Sequence, residues 1–341
     1  MGGSSCEYRV FEGGDQEWDA LVTAGDDASL LQTWAYGEAK AETGPWRVER
    51  GVVMAGGEVV AAAQVLIRDA PLPGSGMAWI NRGPVGATGD TEACLGALLR
   101  EFCDQRGYYL RTQPPCGDDD LVLPARFSRT STPGWASSVV DLREPEEVLR
   151  KNLHRKWRNH LSRAERSNLE LIVGTGKTIF DAFMEGHAAH LARLGPAGGL
   201  DPALLHRLQE RLAPEQKLLC FITRKDGSYL GGAAIARIGA TGEYLAGHNT
   251  QAGRANKAGQ LLLWSAMLRL KADGYTRLDL GGMDEHLTTP GIFEFKQRIG
   301  GMPYRLANEL EAGATGIVNR LIRWRVRRER ARQTEQAGGA P

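Results

Sequence analysis

The sequence lacks several signatures that would fix its chemistry at once. Its five cysteines, Cys6, Cys94, Cys103, Cys116 and Cys220, are scattered, and no two have Cys-x-x-Cys spacing. Neither a zinc knuckle nor a dithiol redox pair is therefore indicated. The odd count, with no apolar signal region in Met1–Cys6, fits a reducing compartment, and a cytoplasmic location is expected. No apolar run reaches the length of a membrane span, so no transmembrane segment is expected. There is no Gly-x-Ser-x-Gly nucleophile elbow and no phosphate-binding P-loop. Charge of one sign is scarce too: 42 Lys and Arg face 41 Asp and Glu, giving a formal net charge of +1. No DNA partner is expected.

What is present is locally uneven. Seven arginines fall between Arg320 and Arg332, and seven Lys or Arg between Arg150 and Arg166. Each run is either a solvated face or a surface for a polyanion. At 341 residues the chain exceeds one average domain, so two domains are the first expectation.

Hydrophobic periodicity supports that division. Val52–Met54, the Ala55-Gly56-Gly57-Glu58 turn and Val59–Ile67 read as a hairpin. Ala78–Ile80 is a strand, Thr91–Arg106 a helix, and Tyr108–Arg111 a strand stopped by Pro114-Pro115. Val139–Leu142 is a further strand. Leu149, Leu153, Trp157 and Leu161 then recur every four residues, predicting one basic amphipathic helix at the seam between domains. The second part repeats the logic. Helices are expected over Phe180–Leu194, Leu204–Leu212 and Gly259–Ala272, with strands at Leu218–Thr223, Tyr229–Ile238, Glu243–Gly247 and Arg277–Leu280. His187 and His190 have helical metal-ligand spacing, but no third ligand lies near and His187 falls on the apolar face, so no metal site is expected.

The densest information lies in residues 278–301. A short apolar strand runs into Gly281-Gly282, crosses a polar loop and reaches Phe295-Lys296. Glycines allow close backbone approach to a ligand, and a lysine between apolar neighbours can meet a developing anion. The same residues also read as a strand, a surface loop and a solvated lysine.

Several stretches taken together resemble the Fem-type transferases, which move an amino acid from aminoacyl-tRNA to an amine. Gln32-Thr-Trp34-Ala-Tyr36-Gly37 with Lys40 is similar to that family's early motif. Asn81-Arg82-Gly83-Pro84 is similar to its Arg-Gly-Pro turn, and Arg155–Glu165 to its basic interdomain helix. Gly247-His-Asn249, the helix Leu261–Ala272, Leu278-Asp279-Leu280-Gly281-Gly282 and Phe295-Lys296 are similar to its closing strand, helix, strand and Phe-Lys motif. The resemblance spans about Gln32 to Gly301.

It implies an α/β chain of mixed α+β sheets, with two tandem GNAT (acyl-CoA N-acyltransferase)-like domains and no coiled-coil insertion. The domains would cover residues 1–145 and 146–315. A C-terminal helix over 316–332 would pack on the first, and 333–341 would form a disordered tail. The partners implied are aminoacyl-tRNA, as co-substrate rather than cofactor, a small-molecule or peptide amine acceptor, and a possible carrier protein. The acceptor is either a peptide natural-product intermediate or a peptidoglycan precursor. Lys296, Phe295 and Asp279 are the catalytic candidates, Asp279 as a base near the motif. Lys40, Trp34, Tyr36, Arg158 and Asn249 are candidates for substrate binding, and Lys257, Arg298, Arg323 and Arg327 for tRNA binding.

The sequence departs from related patterns in two places. Acetyl-CoA enzymes of this fold carry Arg/Gln-x-x-Gly-x-Gly/Ala, whose amides cradle a pyrophosphate. Here Arg254-Ala-Asn-Lys257-Ala-Gly259 puts Lys257 where the first glycine belongs, which disfavours coenzyme A. Cell-wall members place an arginine and a tyrosine after the helix ending near Leu194, where this chain reads Gly195-Pro-Ala-Gly-Gly-Leu200-Asp-Pro202. The alternatives are an acyl-CoA N-acyltransferase and, in another class, a non-catalytic protein binding RNA or a membrane surface.

An aminoacyl ester is already activated, so transfer needs chiefly positioning and charge stabilisation. Lys296 is expected to neutralise the tetrahedral oxyanion or the leaving ribose oxygen. Asp279, Asp284 and His286 are candidates for the base. Asp279 also reads as a structural carboxylate capping nearby amides.

Overall fold

Two meanders of antiparallel strands, each ended by one parallel crossover, organise the chain. The computed structural model describes residues 6–71, 75–86, 90–119, 121–194, 200–313, 320–326 and 328. Two compact units result: Met1–Trp135 with Arg305–Pro341, and Ala136–Tyr304. We refer to them as unit 1 and unit 2.

In unit 1 the strands are β1 (Glu7–Val10), β2 (Arg47–Ala55), β3 (Glu58–Asp69), β4 (Gly76–Ile80), β5 (Tyr109–Thr112) and β6 (Ser128–Arg129). The second sheet holds β7 (Ala136–Asp141), β8 (Glu170–Gly174), β9 (Leu219–Lys225), β10 (Ser228–Ile238), β11 (Thr241–Asn249), β12 (Arg277–Asp279) and β13 (Met302–Arg305), all in unit 2 but for Arg305. The chain returns to the first sheet with β14 (Leu310–Gly313). The sheet orders are β1-β2-β3-β4-β5-β14-β6 and β13-β7-β12-β11-β10-β9-β8. Helices α1 (Asp15–Thr23), α2 (Trp34–Thr43) and α3 (Thr91–Leu98) belong to unit 1. Those of unit 2 are α4 (Glu146–Asn152), α5 (Arg155–Glu165), α6 (Lys177–Leu194), α7 (Pro202–Arg211), α8 (Gln251–Ala255), α9 (Ala258–Ala272) and α10 (Pro290–Gln297).

The units divide earlier in sequence than the expected boundaries at 145/146 and 315/316, because strand pairing outranks linear position. Ala136–Asp141 pairs with β12 and so belongs to unit 2. Leu310–Gly313 pairs with β5 and so belongs to unit 1. Of the helix expected over 316–332, residues 320–326 and 328 are described, and they are helical. Arg327 and the tail 333–341 lie outside the described residues, as does Gly195–Gly199.

The single helix expected through Leu149 and Leu161 is two. Leu153 and His154 are extended, with ψ of 135° and 142°. The His154 side chain accepts the Lys156 N–H and so starts α5. The four-residue spacing persists across the break, so Leu149, Leu153, Trp157 and Leu161 all reach one core with Leu262, Met267 and Leu278. Thr91–Arg106 also changes character. After α3 the residues Leu99–Gln105 form a π-helical stretch, which keeps Phe102 in the unit 1 core. After α5 the chain enters β8 directly, with no helical arm between them. No helix among the described residues is long and apolar enough to cross a membrane.

A bulge in β11 sets up the site. Ala234 pairs with Ala246 and Ile235 with Tyr244, so Leu245 is the extra residue. An extra residue reverses the alternation of side chains. Tyr244 and Gly247 therefore share one face, and a Cβ on Gly247 would collide with the Tyr244 hydroxyl. His248 faces the other way, against Phe183 of α6.

Candidate active site in unit 2

The parallel ladder between β11 and β12 stops at Glu243 and Asp279. Beyond it, β11 runs on to Asn249 beside β10, while the other strand turns away at Gly281. Gly281 has φ +68°, and a Cβ there would lie 2.5 Å from the Tyr244 carbonyl oxygen. Only glycine takes this turn without strain. The two strands thus part where the sequence places Gly281-Gly282.

Lys296 fills that point from α10, a helix the sequence reading leaves as loop. Pro290 occupies its first turn, where the missing N–H costs nothing. The Phe295 ring packs on Trp157 with centroids 5.8 Å apart and fixes the rotation of α10. Lys296, one position on, is then turned inward and buried. Its Nζ donates to the Gly282 carbonyl at 2.9 Å and lies 5.4 Å from the centre of the Tyr244 ring. Among the described residues it forms no ion pair with a carboxylate. Burial lowers its pKa to about 8, and the charge of Asp279 partly opposes that shift. At neutral pH it is a mostly protonated, poorly neutralised cation with donors to spare. Such a group can stabilise a developing oxyanion.

Asp279 is buried and fully engaged. Ser137 Oγ lies 2.5 Å from Oδ1, and the Gly281 N–H donates to the same oxygen at 2.7 Å. The Tyr304 hydroxyl donates to Oδ2 at 2.5 Å. Both oxygens are committed, which suits the structural reading of Asp279 better than that of a free base. Asp284 likewise accepts the His286 and Leu287 N–H groups and shapes the loop before α10. His286 is exposed beside Glu285.

The other candidates have definite places. Arg158 closes the end of α4, its Nη1 donating to the Lys151 carbonyl at 2.9 Å. Asn249 sits at the end of β11 among Gly231, Gly253 and Gly259, with a buried Oδ1 that has no partner among the described residues. Lys257 starts α9 in a left-handed conformation, φ +61°, which glycine would adopt more cheaply. Arg298 pairs with Glu294 across one turn of α10. Three candidates lie on α2 in unit 1: Trp34 beneath the Arg50 guanidinium, 3.6 Å from the ring centre, buried Tyr36, and half-buried Lys40. Arg323, also in unit 1, donates to Glu311 at 2.8 Å. The structure therefore brings Asp279, Phe295 and Lys296 together in unit 2, with Arg158, Asn249, Lys257 and Arg298 on other elements of the same unit.

Sequence reasoning missed Ser137, Tyr244 and Tyr304. A serine pair inside an apolar strand is a faint signal for Ser137; nothing in the sequence marks Tyr304. It also missed how His187 and His248 meet. Their ring centroids are 6.0 Å apart, His187 stacks on Phe183, and Tyr229 lies 2.6 Å from His248 Nε2. Burial and the neighbouring cations push His248 down to about 3, so it is neutral. Among the described residues no three His, Cys, Asp or Glu side chains converge as a metal site.

Residues 149–297 match the family described as acetyltransferase (GNAT) domain. FemX superposes with a TM-score of 0.76 at 16% identity, over 94% of this chain and 100% of FemX. The chain has the tandem GNAT fold. A tandem GNAT protein from the clavulanic acid biosynthesis pathway is similar at TM-score 0.53 and 14% identity, over 91% of this chain and 99% of that one. So is the C-terminal domain of a putative lysylphosphatidylglycerol synthetase from Agrobacterium fabrum, at 0.50 and 17%, over 90% and 94%. No curated protein matches the sequence. Within this fold, Lys296 stands at the opening between the parallel strands of the second unit.

Proposed function

We propose that the chain is an aminoacyltransferase that moves an amino acid from aminoacyl-tRNA to an amine. The acceptor nitrogen attacks the ester carbonyl, a C–N bond forms, and the C–O bond to the ribose breaks. The observation that carries this reading is the buried Lys296 cation at the parting of β11 and β12, held by the Gly282 carbonyl and ion-paired to no carboxylate among the described residues. A cation so placed would stabilise the oxyanion or the leaving ribose oxygen without reorganisation. The GNAT match and the FemX-like fold support acyl transfer in general. The resemblance of the motifs supports tRNA as donor, with Lys257 and Arg298 as its proposed contacts in unit 2. Arg158 and Asn249 are the proposed acceptor contacts in unit 2. The amine belongs to a natural-product peptide or a peptidoglycan precursor.

An acyl-CoA donor is the second reading, favoured by the acetyltransferase description of residues 149–297. Lys257 at the start of α9 argues against it, since a lysine stands where acetyl-CoA enzymes of this fold carry the first glycine of their pyrophosphate cradle.

Transfer of labelled amino acid from charged tRNA to candidate amines, with and without RNase, tests the donor. Abolition by RNase supports tRNA; transfer from acyl-CoA supports the second reading. Lys296→Ala is expected to lower single-turnover transfer by about 10²–10³. Full activity in that variant would end the assignment. Because the cation is needed, transfer should fall as pH rises through about 8.

A further inference from the structure

Hydrogen bonds on either side of the Gly281-Gly282 backbone link two hydroxyls to the Lys296 ammonium. Ser137 on β7 and Tyr304 on β13 hold opposite oxygens of Asp279, each at 2.5 Å. Oδ1 also takes the Gly281 N–H at 2.7 Å. The next residue, Gly282, offers the carbonyl that accepts from Lys296 Nζ at 2.9 Å. Ser137 Oγ lies 2.9 Å from the Gly281 carbonyl as well, so it touches both sides of the turn.

Each link has a reason to be specific. Two consecutive glycines leave the backbone many conformations, and φ +68° at Gly281 is one among them. A hydrogen bond to a charged acceptor selects that conformation more strongly than a neutral one. A buried carboxylate in turn needs donors on both oxygens to remain where it is. The side chains facing Lys296 are Asp279 from β12 and Tyr244 from β11, with Tyr304 from β13 behind Asp279. None of them makes an ion pair with it, so its direction is set by the Gly282 carbonyl.

We propose that Ser137 and Tyr304 are positioning residues for Lys296, acting through Asp279 and the Gly281-Gly282 turn. The proposal rests on Lys296 as the transfer residue for its meaning, and its test needs no substrate. Two measurements are made on the full chain: amide exchange of the Gly281 N–H, and pH-dependent competitive acetylation of Lys296 by acetic anhydride, read by mass spectrometry. Tyr304→Phe and Ser137→Ala should each speed Gly281 exchange by on the order of tenfold. Both should also make Lys296 label faster, as its carbonyl partner loosens. Ser137→Thr, which keeps the hydroxyl, should retain wild-type values. Asp279→Asn should lower the pH midpoint of labelling, because it removes the negative charge that favours the ammonium. Amides of α9 serve as the control for folding. Unchanged Gly281 exchange and Lys296 labelling in both hydroxyl-deletion variants would overturn the proposal. So would loss of protection that spreads to α9, which would make the hydroxyls general supports of unit 2. If Lys296→Ala retained transfer while exchange and labelling responded as expected, the positioning would stand and the functional reading would fall.

Discussion

The parallel pairs β4–β5 in unit 1 and β11–β12 in unit 2 begin alike and end differently. In unit 1 the ladder closes past its last pair, Ile80 and Thr112: Gly83 bridges Gln113, and Thr112 Oγ1 donates to the Gly83 carbonyl at 2.6 Å. In unit 2 the ladder ends at Glu243 and Asp279, and the strands part. Their buried cations differ in the same sense. Arg111 of β5 is joined directly to Glu309, and both are almost wholly buried. Lys296 has a carbonyl and a ring. One fold thus yields a sealed, neutralised end in one unit and an open, charged end in the other. The lesson is that chemistry follows from withholding a partner, since a cation already paired has little field left for a substrate.

Four measurements can break or sharpen this contrast. Removing one partner of a buried ion pair typically costs about 3–5 kcal/mol, so Arg111→Ala should show a loss of that size in denaturant unfolding. A near-neutral result would deny that the pair seals unit 1. Lys296→Met should act oppositely at pH 7, raising stability by up to about 3 kcal/mol, since a depressed lysine pKa is a folding penalty. The sign follows from proton binding: the unfolded chain binds the proton more tightly, so the wild type gains stability as pH rises from about 8 towards the ordinary lysine value. The advantage of the Met variant should therefore shrink over that range in thermal unfolding, and a constant advantage would contradict it. Gly281→Ala forces a left-handed alanine against the Tyr244 carbonyl and should cost on the order of 2 kcal/mol. Its crystal structure should show a moved turn; an unmoved one at full stability would remove the strain argument. Thr112→Val deletes one buried hydrogen bond and should cost about 1 kcal/mol, with transfer unchanged. Altered transfer would mean that the closed end of unit 1 also takes part.

Much of this was legible in sequence. The Gly56-Gly57 hairpin, the strands around Asp226-Gly227 and the helix Leu262–Leu270 follow from period and turn chemistry, which are local. The motif Gly281-Gly282 to Phe295-Lys296 was visible as a unit because both halves lie within one short stretch. What escaped depended on distance or on a break in period. The turn at Leu153-His154 leaves the four-residue spacing intact, so periodicity alone reads it as continuous. Helix α10 is too short, and too rich in Phe, Gly and Pro, to show a clear apolar stripe. Ser137 and Tyr304 are 142 and 25 residues from Asp279, and no local rule connects them.

The sequence by itself determined the alternation of elements, the basic helix, the glycine pair and the Phe-Lys pair, because propensity, periodicity and turn chemistry act over a few residues. Only the tertiary structure decided that β7 and β14 cross between the two expected domains, because strand pairing is chosen by partners far away in the chain. It alone decided that β11 and β12 part beyond Asp279, and that Lys296 enters the gap with no ion-paired carboxylate among the described residues. A lysine is only a lysine in sequence. Its burial, and with it the energy its charge can exert, exists only once the surrounding strands have folded around it.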